Sequence, residues 1–186
     1  MNTLEAIIQR KSVRTYLEKE IEKEMLEQIA VAGNYAAGTP MAGNRYFSVI
    51  TNKDLLSEIV SATKTVMQNS GMDMLVKLSS NPNFNPIYNA PAVIVVATDR
   101  QQASNMAAMA RANAACAAEN MLLAAADLGL GSCYVESPCL AFNNPSLRNK
   151  AGLPENCEVQ AMVLLGYTED IAPHTEKKAD NIIYID

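Results

Sequence analysis

A chain of 186 residues with a net charge of −5 is long enough to bury a sizeable core in one domain, 1–186. Its acidic balance, with a pI near 5.0, is the wrong sign for a nucleic-acid binder, whose footprint is an excess of Lys and Arg. No window approaches the run of about 18 apolar residues of a membrane span, and the first residues include Glu5 and no cleavable apolar segment, so no membrane association is expected and the cytoplasm is the expected compartment.

Cys116, Cys133, Cys139 and Cys157 form no C-x-x-C pair and His174 is the only histidine, so a zinc site and a Ser-His-Asp or Cys-His hydrolase both lack their residues. The cysteines read as reduced, and Cys116, within Ala-Ala-Cys-Ala-Ala, as a small buried hydrophobe.

Asn2 and Glu5 have the spacing of a capping pair, and Leu4, Ile7 and Ile8 recur at helical spacing, which predicts a short helix ending near Arg10. Arg10-Lys11-Ser12-Val13-Arg14 follows. Two guanidinium forks, a point charge and a hydroxyl suit the lone pairs of a phosphate; the same residues also suit a solvated basic surface. A second helix is expected from Glu22 to Ala32, closed by Gly33-Asn34. Residues 36–44 are small and punctuated by Gly and Pro, a loop whose backbone can approach something closely, and they lead into a strand from Tyr46 to Thr51.

Asn52 is placed to cap a helix from Lys53 to Asn69, with Gly71 at its end. Asn81-Pro82-Asn83-Phe84-Asn85-Pro86 reads as an irregular excursion or lid. Ala92 to Ala97 is an apolar run rich in Val, expected as a strand covered on both faces. The stretch from Ala103 to Leu128 is rich in Ala and Met and apolar nearly all round, so it reads as a long central helix in a core or subunit interface. A strand from Ser132 to Val135, a short helix capped by Asn144-Pro145, a strand from Val159 to Tyr167 and a terminal strand from Asn181 to Asp186 complete the reading. This order is α+β or α/β. Gly129-Leu130-Gly131 follows a helix and not a strand, so a dinucleotide-binding turn is missing.

Taken together, Arg10 to Arg14 after a short helix, the small-residue loop before Tyr46-Phe47, Asn89-Ala90-Pro91 before Ala92 to Ala97, Glu119 to Ala125 before Gly129-Leu130-Gly131-Ser132, and Leu164-Leu165-Gly166-Tyr167 resemble the FMN-dependent nitroreductase family. The resemblance spans nearly the whole chain. It implies an α+β fold with a mixed, mainly antiparallel sheet flanked by helices, and a homodimer with FMN at the subunit interface. The long apolar helix would pack against its twin, and Asn181 to Ile185 resembles the segment that adds to the partner's sheet.

By the same resemblance Arg10, Lys11 and Ser12 would hold the FMN phosphate and ribityl chain, Arg14 would sit by the pyrimidine edge, and Lys177, beside Lys178, would reach the phosphate. Glu136 and Ser137 fall where the family presents a backbone N–H to flavin N5. Ala37, Gly38 and Thr39 of the other chain match the segment packed on the ring. Here the chain departs from the family: Met41 replaces a frequent Asn, Gly43 a Gln and Arg45 a Trp.

The implied activity is that of an FMN-dependent NAD(P)H oxidoreductase working by ping-pong hydride transfer. NADH or NADPH would reduce FMN at N5, and a nitroaromatic, quinone or similar small acceptor would then be reduced in the same pocket. The chemistry would sit on the flavin, with no catalytic side chain and no metal. Alternatives within the fold are an ene or enoate reductase, with Tyr134 or Tyr88 as proton donor, and a member that consumes its flavin. A flavin-binding protein without turnover is a third.

Overall fold

The computed structural model describes residues 1–170, 177 and 180–185. Helix α1 (Thr3–Gln9) starts at the expected capping box, with Asn2 Oδ1 accepting from Glu5 N at 3.0 Å and Glu5 Oε2 from Asn2 N at 2.9 Å. Helix α2 spans Lys23–Asn34, running two residues beyond its expected end. The loop then makes one 3-10 turn, Pro40–Ala42, before strand β1 (Arg45–Ile50). Helix α3 (Lys53–Gln68) is capped by Asn52, whose Oδ1 accepts from Leu55 N at 2.9 Å. Such a cap stabilises by about 1 kcal/mol.

Helix α4 (Asp73–Ser79) lies in a stretch with no expected helix. Its first turn is preceded by Met72, with no side-chain cap, so the start signal that marks α1 and α3 is absent. Strand β2 (Ala92–Asp99), helix α5 (Ser104–Asp127), strand β3 (Gly131–Val135), a 3-10 segment Ser137–Asn143, helix α6 (Pro145–Lys150) and strand β4 (Cys157–Gly166) follow. Strand β4 begins two residues before the expected Val159 because Cys157 and Glu158 pair with Asp99 and Thr98.

The strands form one antiparallel sheet in the order β1-β2-β4-β3. The central pair is apolar on both faces because both faces are covered. Leu56, Ile59, Phe142, Leu147, Met162 and Leu164 pack on one side, and Leu26, Ile29, Ala118, Met121, Ala125 and Val163 on the other.

The β3 edge is covered by the chain itself: Ser12 and Ser132 form a parallel bridge, and Val13 N donates to Ser132 O at 2.8 Å. It is the parallel element in an otherwise antiparallel sheet. Two glycines permit this docking. A Cβ at Gly131 would lie 2.9 Å from Val13 Cγ1, and one at Gly166 would lie 2.6 Å from the Tyr16 ring. The edge of β1 stays open among the described residues. A groove of about 1570 Å³ runs along it between α2 and α3, lined by Ile21, Leu26, Phe47, Val49, Val60 and Ile87.

Two expectations need correction. Residues 181–185 form no strand, and Ile183, Tyr184 and Ile185 are exposed, because a strand needs a partner and none pairs with them among the described residues; Asp186, the last residue of the expected strand, lies outside those residues. Cys116 is exposed, not buried. The structure buries Ala110, Ala114, Ala117, Met121 and Ala125 of α5 but leaves Ala108, Met109, Ala112, Ala115 and Cys116 bare along its other face. Among the described residues no helix is long and apolar enough to cross a membrane.

Candidate functional site

The basic segment is fixed at both ends. Arg10 closes α1, its N–H donating to Ala6 O at 2.9 Å, and two residues later Ser12 and Val13 are paired to β3. Val13 is buried beneath the segment. The polar side chains are thereby presented along the sheet edge: Arg10 Nε lies 3.6 Å from Glu119 Oε1 of α5, and Lys11 Nζ lies 2.5 Å from Asp170 Oδ1. Arg14 Nη1 donates to Ser12 O at 3.4 Å, and its guanidinium stands 5.7 Å from the centroid of the Tyr88 ring.

Arg14, Ser12 and Arg10 converge electrostatically on Cys133. Burial raises the pKa of that thiol, while Arg14, the Ser12 hydroxyl and Arg10, in falling order, pull it back down by favouring negative charge. Burial outweighs them at the thiol itself, which stays neutral, but the direction of their pull shows that Arg14, Ser12 and Arg10 turn positive charge and a donor toward the middle of β3. The donor set fits the phosphate of a flavin nucleotide: three cations and a hydroxyl face two carboxylates, and of these Glu119 is 53 % exposed and so stands at the rim. A basic stretch pinned to a sheet edge is also more ordered than a merely solvated charge run.

The Asn/Pro-rich excursion is folded in, not suspended as a lid. Ile87 and Ala90 are buried, Asn85 Oδ1 accepts from Ile87 N at 2.9 Å, and Asn85 Nδ2 donates to Asn89 Oδ1 at 2.6 Å. Tyr88 and Asn89 have φ of 51° and 55°. Two consecutive non-glycine residues in the left-handed region cost of order 1–3 kcal/mol each and are concentrated at functional sites. The Tyr88 ring stands beside Arg14, a contact that no local spacing in the sequence announces.

Glu136 and Ser137 follow directly on β3. The Tyr134 hydroxyl donates to Glu136 Oε1 at 2.8 Å, and Glu136 O accepts from Cys139 N at 2.9 Å, which starts the 3-10 segment. Burial, then the Glu136 carboxylate, raises the pKa of Tyr134, so its phenol stays protonated. Lys177 is exposed and has no hydrogen bond or ion pair among the described residues.

Ala37, Gly38, Thr39 and Met41 form a second cluster, between the C-terminus of α2 and the middle of α5. Thr39 Oγ1 accepts from Met41 N at 3.4 Å, and Met41 is exposed. Asn113 of α5 holds the Thr39 backbone: Oδ1 accepts from Thr39 N at 3.0 Å and Nδ2 donates to Thr39 O at 2.9 Å. The sequence reading did not single out Asn113. The available signal was a polar side chain within an alanine-rich stretch, at a position that the helix buries.

An antiparallel sheet layered between helices, with a basic segment closing one edge and an apolar helix bare on one face, defines a fold class with close known counterparts. A model of the Nitroreductase family matches residues 7–167, and the chain belongs to that family. A relative from Archaeoglobus fulgidus, named provisionally as an NADH dehydrogenase/NAD(P)H nitroreductase, is 32% identical over 171 residues, covering 90% of this chain and 86% of its own. The solved structure of a Bacteroides fragilis nitroreductase with bound FMN superposes with a TM-score of 0.88 at 31% identity, each chain fully covered. A Desulfitobacterium hafniense nitroreductase, also with bound FMN, gives 0.84 at 25% identity, again with both chains covered in full.

Proposed function

We propose that this protein is an FMN-dependent NAD(P)H oxidoreductase that works as a homodimer. The observation that carries the reading is the Arg10 to Arg14 segment, three cations and a hydroxyl pinned to the edge of β3, in a chain of the Nitroreductase family. Relatives from that family hold FMN. When bound, FMN supplies the redox chemistry, taking a hydride from NADH or NADPH and passing it to a nitroaromatic, quinone or similar small acceptor.

The protein's part is binding, orientation and field. Arg10, Lys11 and Ser12 hold the phosphate and ribityl chain, with Lys177 a further cation for the phosphate. Arg14, steadied by Tyr88, favours negative charge at the pyrimidine edge. The turn at Glu136 and Ser137 presents backbone N–H toward N5. Ala37, Gly38, Thr39 and Met41 of the second copy cover the ring.

Two unsatisfied surfaces support the dimer. The bare Ala108 to Cys116 face of α5 suits a twin helix, since small residues allow close approach. The exposed Ile182, Ile183, Tyr184 and Ile185 suit addition to the open β1 edge of a second copy. A second reading, ene reduction, draws on the protonated Tyr134 hydroxyl beside Glu136, an O–H at the end of β3.

The test is the visible spectrum of the freshly purified protein, followed by anaerobic NADH and then NADPH. Flavin bands bleached by either nucleotide are the expected result. Protein that is colourless and takes up no added FMN refutes the reading, and comparing turnover of a nitroaromatic with that of an enone separates its two forms.

A further inference from the structure

The turn from Ala36 to Thr39 is held by two side chains from outside it, Arg45 and Asn113. Arg45, the first residue of β1, spreads its guanidinium over four carbonyls. Nη2 donates to Ala36 O at 3.0 Å and Asn34 O at 3.4 Å, and Nη1 to Ala37 O and Asn113 O, both at 3.4 Å. A planar, five-donor fork can serve that many acceptors at once, whereas an ammonium at the end of a flexible stem cannot. Asn113, buried in α5, takes both backbone groups of Thr39 as a neighbouring strand would.

Gly38 completes the arrangement. A Cβ there would stand 3.0 Å from Asn113 Cγ and Oδ1, tighter than an ordinary contact, so the absence of a side chain at position 38 lets the turn lie flat on the amide. The carbonyls of Ala36 and Ala37 point back to Arg45, and Thr39 is satisfied in both directions. The N–H groups of Ala37 and Gly38 make no hydrogen bond among the described residues, and both residues are exposed.

We propose that Arg45 and Asn113 are positioning residues for the bound flavin: they turn the carbonyls of the 36–39 segment inward and leave two adjacent backbone donors, Ala37 and Gly38, for the acceptor atoms of the ligand. The proposal rests on the FMN reading. The guanidinium fixes by hydrogen bonds a loop of small residues that has few side-chain contacts of its own. The guanidinium also sets a positive charge behind the donors.

The test uses full-length protein stripped of flavin, compared as wild type, Arg45→Met, Arg45→Lys and Asn113→Ala. Calorimetric titration with FMN gives affinity, visible circular dichroism of the loaded protein gives the ring environment, and urea unfolding of the apoprotein gives stability. The expected result is that Arg45→Met and Asn113→Ala each weaken FMN at least tenfold and change the flavin dichroism, with Arg45→Lys in between. If Arg45→Met does not fold, Arg45→Lys and Asn113→Ala carry the test. Variants that bind FMN within twofold of wild type with unchanged dichroism overturn the proposal, as does an affinity loss that only mirrors lost apoprotein stability. Wild type that takes up no FMN refutes the functional reading itself and the proposal with it, an outcome distinct from variants that bind normally.

Discussion

Gly131→Ala should loosen the whole candidate site from a position that touches no ligand. The added Cβ would lie 2.9 Å from Val13 Cγ1, 2.9 Å from Thr168 Cγ2 and 3.1 Å from Val13 Cβ. Both neighbours are β-branched, so neither can rotate away freely, and Val13 is buried, 3% exposed. The segment must therefore lift from β3. Overpacking of this kind costs typically 1–3 kcal/mol, and straining the Val13 N to Ser132 O bond, 2.8 Å in the native fold, adds up to about 1 kcal/mol. Urea denaturation of the apoprotein should show a loss of about 1–4 kcal/mol on these two principles. In a protein of this size that is roughly 2–4 °C of melting temperature per kcal/mol. FMN affinity should fall as well, because Ser12 and its neighbouring cations move with Val13. A double-mutant cycle with Val13→Ala isolates the mechanism: removing the two methyl groups makes room, so Gly131→Ala should cost less in that background. A loss under about 0.5 kcal/mol, the usual range of an inconsequential surface change, with unchanged FMN affinity would refute the claim that Gly131 is glycine to let the basic segment dock.

Further outcomes follow from other parts of the molecule. The Asp99 carboxyl is held below the usual carboxylate range, first by the Asn44 N–H at 2.8 Å and then by the Tyr46 hydroxyl. Because the folded pKa is the lower one, its stabilisation is present above the unfolded value of about 3.9 and is lost as pH falls through the folded value. Asp99→Asn should therefore flatten that part of the acid limb of the stability profile, and Tyr46→Phe should move the Asp99 titration upward in a carboxyl NMR experiment. Cys116→Arg places a charge on the bare face of α5; sedimentation should shift toward monomer and FMN should weaken by tenfold or more. A variant that stays dimeric with full affinity would remove α5 from the proposed interface. Arg14→Gln should lower the flavin midpoint potential, by about 30 mV for each 1.4 kcal/mol of lost stabilisation of a two-electron reduced form. An unchanged potential would separate Arg14 from the ring.

What the sequence determined alone is what short-range physics controls. Asn2 with Glu5, Asn52, and Asn144 with Pro145 mark helix starts because a side-chain oxygen satisfies an orphan amide within three residues of itself. The unbroken apolar run from Ala92 to Ala97 marks a strand buried on both faces, and the Arg10 to Arg14 cluster stands out against an acidic chain. Helix α4 was illegible because it has no cap, and the exposure of Cys116 because apolar company along the chain does not say which side of α5 meets the sheet. The tertiary structure alone decided that Ser12 and Val13 lie on β3, some 120 positions later in the chain, that Tyr88 stands against Arg14, and that Arg45 and Asn113 hold one turn between them. Those arrangements depend on contacts between residues far apart in sequence, and on gaps left by Gly38, Gly131 and Gly166, whose missing side chains are visible in the sequence while the atoms they make room for are not.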